Sequence, residues 1–306
     1  MKNFISIEDY FSSCIDKGQS FWHLWTPENH QVIFTSEDDF KVGMNLTAIC
    51  AFLHPEIKIL AFELMSNHMH ITIVGAEDSV RLYFNSFKKY LKRWFEHQKN
   101  YVDLSGFNCN LRRLNSPTEV RDVISYTNRN GFLVNPDTTP FSYRWGANLF
   151  FFNPEAKKRY HENSVKMTLR QRREMVHGHA ADSIDSLMML DGYVCPMCFC
   201  DIATAEKFYR NASNYLYGIS RNIEASKKIA EECSEMIYYS DDELFRITCS
   251  LADAKSKNTP PGLLPGNAKI EIARILHNEY NADKKKIVRM LKLDMQILNS
   301  IFPDTR

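Results

Sequence analysis

His68 and His70, in the stretch MSNHMHITIV at 65–74, form the pattern with the most definite chemical meaning in the chain. In extended backbone, residues i and i+2 project to one face. Both imidazoles would then aim at one metal ion, while Met69 points the other way into a core. A strand carrying two exposed histidines fits the same letters. Two imidazoles leave a metal site incomplete, and RDVISYTNRNG at 121–131 supplies partners. Tyr126 and Asn130 are four apart and share a helix face. If that face packs over the sheet edge near the histidines, the Asn130 amide oxygen becomes a third ligand and the Tyr126 phenol lies beside the metal. The alternative is a packed tyrosine with its hydroxyl at the surface. An oxygen and two imidazoles with open positions suit Mg²⁺ or Mn²⁺ bridged by a phosphate. Such a metal polarises a phosphodiester, and a tyrosine attacking phosphorus splits one hard step into two.

The surrounding elements must hold these groups. SFWHLWT at 20–26 reads as a strand. Phe40, Met44, Leu46, Ile49 and Phe52 recur at helical spacing and predict a helix over 37–53, which Pro55 closes. IKILAFELM at 57–65 and HMHITIVG at 68–75 read as strands joined at Ser66 and Asn67. The spacing predicts an amphipathic helix over 78–99, with Leu82, Phe84, Phe87, Leu91 and Trp94 on its apolar side. A short strand near 106–113 follows. Ser116-Pro117-Thr118-Glu119 then starts a helix that ends near Gly131. The order β-α-β-β-α-β-α predicts an α+β, ferredoxin-like (split βαβ) unit with an antiparallel sheet and an added helix. One sheet face would be covered by helices and the other left open for a ligand.

From about 155 onward only helical periodicity is legible. The expected domains are a catalytic unit over 1–152, a helical connector over 153–190 and an all-α C-terminal domain over 191–306. NTPPGLLPG at 258–266 reads as a linker, and three short helices over 267–302 have helix-turn-helix spacing. Lys284, Lys285 and Lys286 would there meet DNA phosphate. A helical bundle packed on the catalytic domain fits the same stretch.

The motifs MSNHMH, YTNRNG and TPFSYRW, with FWHLWT before them, resemble the REP-associated tyrosine transposases. These are single-tyrosine HUH endonucleases related to insertion-sequence transposases. The resemblance covers roughly 18–150. It implies single-stranded or hairpin DNA as substrate, a divalent metal and a 5′-phosphotyrosine intermediate. It makes His68, His70 and Asn130 the ligands and Tyr126 the nucleophile. Ser66 and Gly131 stand where that family has proline, and Thr127-Asn128 stand where it has Ile-His. The expected activity is a transposase-like single-strand endonuclease and strand transferase, acting as a monomer or homodimer. The alternative is a DNA-binding regulator or structural protein that has kept the fold and lost the chemistry.

Composition agrees with an ordinary globular chain. Of 306 residues, 44% are hydrophobic and 25% charged, and the net charge is +1, which excludes a global polycation. The basic residues cluster, however. Lys88, Lys89, Lys92 and Arg93 fall within two turns, and Arg170, Arg172 and Arg173 form a second group. Solvated faces and polyanion-binding surfaces are both consistent with such runs, and the first cluster is expected to track single-stranded DNA. No apolar run approaches the ~20 residues of a membrane span. Glu8 and Asp9 interrupt the N-terminus where a signal peptide needs apolar residues, so the expected location is cytoplasmic. Eight cysteines in a long chain fit reduced thiols. Cys195, Cys198 and Cys200 form a zinc-like knuckle that lacks a second pair of ligands. His177-Gly178-His179 is a second His-x-His outside any strand and is assigned no role. His23 and His97 show no partner pattern.

Overall fold

The computed structural model describes residues 6–28, 32–99, 102–134, 141–221, 229–230, 239 and 241–302. It is α+β. The first elements are helix α1 (Ile7–Asp16), strand β1 (Ser20–Trp25), helix α2 (Glu37–Leu53), strands β2 (Lys58–Leu64) and β3 (Met69–Gly75), helix α3 (Glu77–His97), strand β4 (Asn110–Leu114) and helix α4 (Pro117–Val134). The strands form one sheet of order β2-β3-β1-β4, antiparallel at each pairing. Helix α2 starts where Ser36 and Asp39 cap one another, satisfying backbone donors that a helix start leaves open. Helix α4 starts at Pro117, whose missing N–H costs nothing there. Helix α1, capped by Ser6, was not anticipated.

Strand alternation sorts the sheet into two faces. Leu24 and Met69 lie on one side; His23, His70 and Glu63 lie on the other, since Glu63 pairs with His70 and His23 with Thr72. On the first face α2 runs against the sheet, and Gly43 admits Leu64 and Phe34 where a side chain would collide. Helix α3 packs beside α2. Its buried side is Val80, Tyr83, Phe84, Phe87, Tyr90, Leu91 and Phe95; Leu82, expected on that side, is 55% exposed.

The other face is not left open. Helix α4 lies across β2, β3 and β1 on that side. Outside it lies α8 (Ala212–Arg221), reached through α5 (Pro154–Asn163), strand β5 (Val165–Lys166), α6 (Leu169–Val176), strands β6 (Met188–Leu190) and β7 (Tyr193–Val194), and α7 (Ile202–Glu206). Buried hydroxyls join the layers: Ser125 Oγ lies 2.8 Å from Tyr209 Oη, and Asn128 Nδ2 donates to Tyr215 Oη at 2.9 Å.

Two expectations need correction. The stretch read as wholly helical contains β5, β6 and β7, which form a small antiparallel sheet. Strands of two or three residues are too short to show alternation. The expected boundary at 152 also falls inside the first compact unit, Met1–Ile229. Later residues complete its core: Phe199 packs on Phe62 at 5.3 Å and Phe208 on Phe21 at 6.1 Å.

The second unit, Ala230–Arg306, is described mainly over 241–302. There it holds α9 (Asp241–Lys255), a 3-10 turn at Pro261–Leu263, α10 (Gly266–Tyr280), α11 (Lys284–Leu291) and α12 (Met295–Ile301). The stretch read as a linker lies within this unit, with Pro261 and Leu264 buried. Among the described residues no helix is long and apolar enough to cross a membrane.

Candidate functional site

His68, His70 and Tyr126 come together on the α4 face of the sheet. The His68 and His70 rings are 5.0 Å apart and perpendicular. The Tyr126 ring stands edge-on to His70 at 5.4 Å. Strand periodicity aligns the two histidines, and helix packing delivers the tyrosine. Met69 is fully buried on the opposite side, as alternation requires. Strand β3 is internal to the sheet and β2 is its edge, and α4 packs against both. The group is correspondingly enclosed: His70 is 0% exposed, His68 4% and Tyr126 4%.

A third imidazole belongs to the group. His23 Nε2 lies 3.2 Å from His70 Nδ1, and its ring is 6.1 Å from that of Tyr126. Trp25 stacks on His23 at 5.1 Å. Burial first, then His70 and Arg112, holds the His23 pKa well below its ordinary value. His68 Nδ1 lies 2.7 Å from the Asn67 side-chain oxygen. Nδ1 of both His68 and His70 is therefore engaged in an orienting bond, and Nε2 is the ring atom a cation would use.

Glu63, directly across from His70, is a further buried polar group on this face. Its Oε2 accepts from the Gly131 N–H at 2.7 Å, which ties α4 to β2. Its Oε1 has no hydrogen-bond partner among the described residues. Burial pushes the carboxyl pKa well above the usual range, and the Gly131 bond offsets part of that rise. Gly131 also admits the Tyr143 ring, which overlaps the place of any Cβ there.

The expected donor set is two imidazoles plus an amide. Among the described residues no three His, Cys, Asp or Glu form a metal-holding group. Asn130 lies on α4 one turn beyond Tyr126 and is 8% exposed. Its amide type suits Mg²⁺ or Mn²⁺.

The basic side chains of α3 are not brought to this group. They project from the helix layer on the opposite side of the sheet. Lys88 donates to Asn108 Oδ1 at 3.0 Å, and Lys92 pairs with Glu96 at 3.8 Å. Lys89 and Arg93 flank the Tyr90 ring at 5.7 and 5.8 Å. Lys284, Lys285 and Lys286 belong to the second unit.

No family model, curated protein or solved structure matches the chain. Only the geometry bears on function.

Sequence reasoning missed His23 and Glu63. The one available signal was a lone polar residue on each of two apolar strands, SFWHLWT and ILAFELM. Their shared face with His70 follows from strand register, which only the sheet reveals. Among the described residues Cys195, Cys198 and Cys200 are free thiols, in no disulfide. Burial raises the Cys195 pKa to about 12 and that of Cys198 to about 11, which makes them poor nucleophiles. Cys233 lies outside the described residues.

Proposed function

We propose that the four-stranded sheet with α2 and α3 is a ferredoxin-like split βαβ unit carrying an HUH-type centre, and that the protein is a transposase-like single-strand DNA endonuclease and strand transferase. The observation that carries the reading is the Tyr126 ring set edge-on to His70, beside His68. The strand order β2-β3-β1-β4 supports the fold assignment. The substrate is single-stranded or hairpin DNA.

His68 and His70, with Asn130, would hold Mg²⁺ or Mn²⁺. When bound, the metal supplies Lewis-acid polarisation of a phosphate oxygen. His23 and Asn67 keep the two imidazoles oriented through their Nδ1 atoms. The Tyr126 hydroxyl attacks phosphorus, the new Tyr–O–P bond replaces the bond to the 3′-oxygen, and the phenolic proton ends on that departing oxygen. The DNA strand is left with a free 3′-hydroxyl and a 5′-phosphate on Tyr126, ready for rejoining.

A second reading is favoured by burial. His70 and His23 lie beneath α4, Tyr126 is buried on α4 itself, and α8 covers α4 in turn. The same cluster then serves as packed core in a DNA-binding protein without nuclease activity.

End-labelled single-stranded hairpin oligonucleotides with Mn²⁺ separate the two. The first reading requires a covalent protein–DNA adduct that survives boiling in detergent and is absent from Tyr126→Phe. DNA retention without any adduct, in wild type and variant alike, overturns it in favour of the second.

A further inference from the structure

The second unit presents a surface whose chemistry matches duplex DNA. Helix α11 has eight residues and α12 seven, with Lys292, Leu293 and Asp294 between them. A three-residue turn between short helices is the spacing of the helix-turn-helix motif. Lys292 takes the left-handed backbone, φ 51°, that such a sharp turn requires and that glycine often supplies. Asp294 then caps α12 by accepting from the Gln296 N–H at 2.8 Å.

The three helices close on themselves. Helix α10 packs on α11, and α11 packs on α12. Ile272, Ala273, Leu276, Ile287, Leu291 and Leu298 are fully buried. The His277 ring meets Phe302 at 4.1 Å, joining α10 to the end of α12. A core of this kind holds α12 rigidly while leaving its outer side uncovered.

On that outer side stand Gln296, Ile297, Asn299 and Ser300, all exposed. Amides read adenine and apolar groups meet the thymine methyl in the major groove. Helix α11 adds charge beside it. Between Asp283 and Asp294 lie Lys284, Lys285, Lys286, Arg289 and Lys292, against two aspartates, each accepting a backbone N–H as an N-cap. Lys285 and Arg289 are exposed and one turn apart, on one stripe of the helix. Lys284 Nζ lies 3.3 Å from Asn299 Oδ1, so the basic and the amide-bearing surfaces are continuous. Lys286 is turned toward the Tyr239 carbonyl, 3.4 Å away, and is less well placed for phosphate than Lys285 or Arg289.

We propose that this unit is a sequence-reading duplex-DNA module, in which α11 lies along the phosphates and α12 enters the major groove. The inference is independent of nuclease chemistry, and a chain without a catalytic tyrosine would keep it.

The test is selection of bound sequences from a random duplex library by the full chain carrying Tyr126→Phe. The expected result is enrichment of one short motif. Gln296→Ala with Asn299→Ala should abolish or change that motif and lower affinity for it about ten-fold. Lys285→Ala should weaken binding to all duplexes alike and reduce the salt slope by about one. All these side chains are exposed, and unchanged circular dichroism and melting of the variants verifies the fold. No enrichment from the library, or a motif that survives the double substitution, overturns the proposal. Enrichment by Tyr126→Phe, with no covalent adduct formed by the wild-type chain, would sustain this module while removing the nuclease.

Discussion

The chain contains two His-x-His motifs, and they end in opposite situations. His68 immediately precedes an internal strand and His70 is its second residue; the two rings lie together and are buried under a helix. His177 and His179 stand at the end of α6, where His177 adopts the left-handed conformation, φ 46°. That backbone step separates the rings. His177 stacks on His97 at 3.7 Å, whereas His179 turns to Asp182, 3.0 Å away. Spacing in sequence therefore acquires chemical meaning only through the backbone that carries it. Period two aligns side chains in a strand; a helix terminus does not.

This contrast is most sharply tested by truncation. His70→Ala removes a fully buried ring and the partner of His23, and should cost about 2–4 kcal/mol by the combined cavity and hydrogen-bond penalties. His179→Ala removes an exposed ring and should stay within about 0.5 kcal/mol. Equal shifts in urea midpoint for the two variants would erase the distinction. If DNA cleavage occurs, only His70→Ala should abolish it.

The glycines beside the two motifs give the next largest effect. At Gly131 a Cβ would overlap the Tyr143 ring, so Gly131→Ala must displace either that ring or α4. Overpacking of that kind costs about 1–3 kcal/mol. At Gly178 the nearest atom to an added Cβ is the Val176 carbonyl oxygen, 3.9 Å away. Gly178→Ala should leave the melting temperature nearly unchanged. A stable Gly131→Ala protein would mean that α4 is less tightly seated than these distances indicate.

The smallest effect is a drift with pH. The Glu63 pKa is raised in the fold above its ordinary 4.5, so the folded chain binds the extra proton. Its contribution is present below 4.5 and is lost as pH rises through the folded value. The His23 pKa is depressed below 6.5, so its contribution is present above 6.5 and is lost as pH falls. Glu63→Gln should therefore gain stability relative to wild type between pH 5 and 8. A difference between the two melting curves that is constant across that range would contradict a buried neutral carboxyl.

Much of the first unit was legible in the letters. Apolar alternation marked β1, β2 and β3. Helical spacing marked α2 and α3, and Ser116-Pro117 marked the start of α4 within a residue. In the second unit the three helices over 266–301 lie close to where periodicity predicted them. These features are local, and each is written within one turn or a few alternations of the chain. His68 and His70 facing one way is likewise a local property of extended backbone.

Other features needed the folded chain. That α4 covers the sheet face expected to be open depends on contacts such as Gly131 with Glu63, 68 residues apart in sequence. Enrolment of His23 beside His70 depends on pairing across 47 residues. Strands β5 to β7 are too short to carry a period, so only their partners define them. The sequence by itself determined element types and the local direction of side chains, because φ/ψ preference and hydrophobic periodicity act over a few residues. Tertiary structure alone decided which strand became central, which face was sealed and which imidazoles met, because these follow from the apolar surface that distant segments bury together.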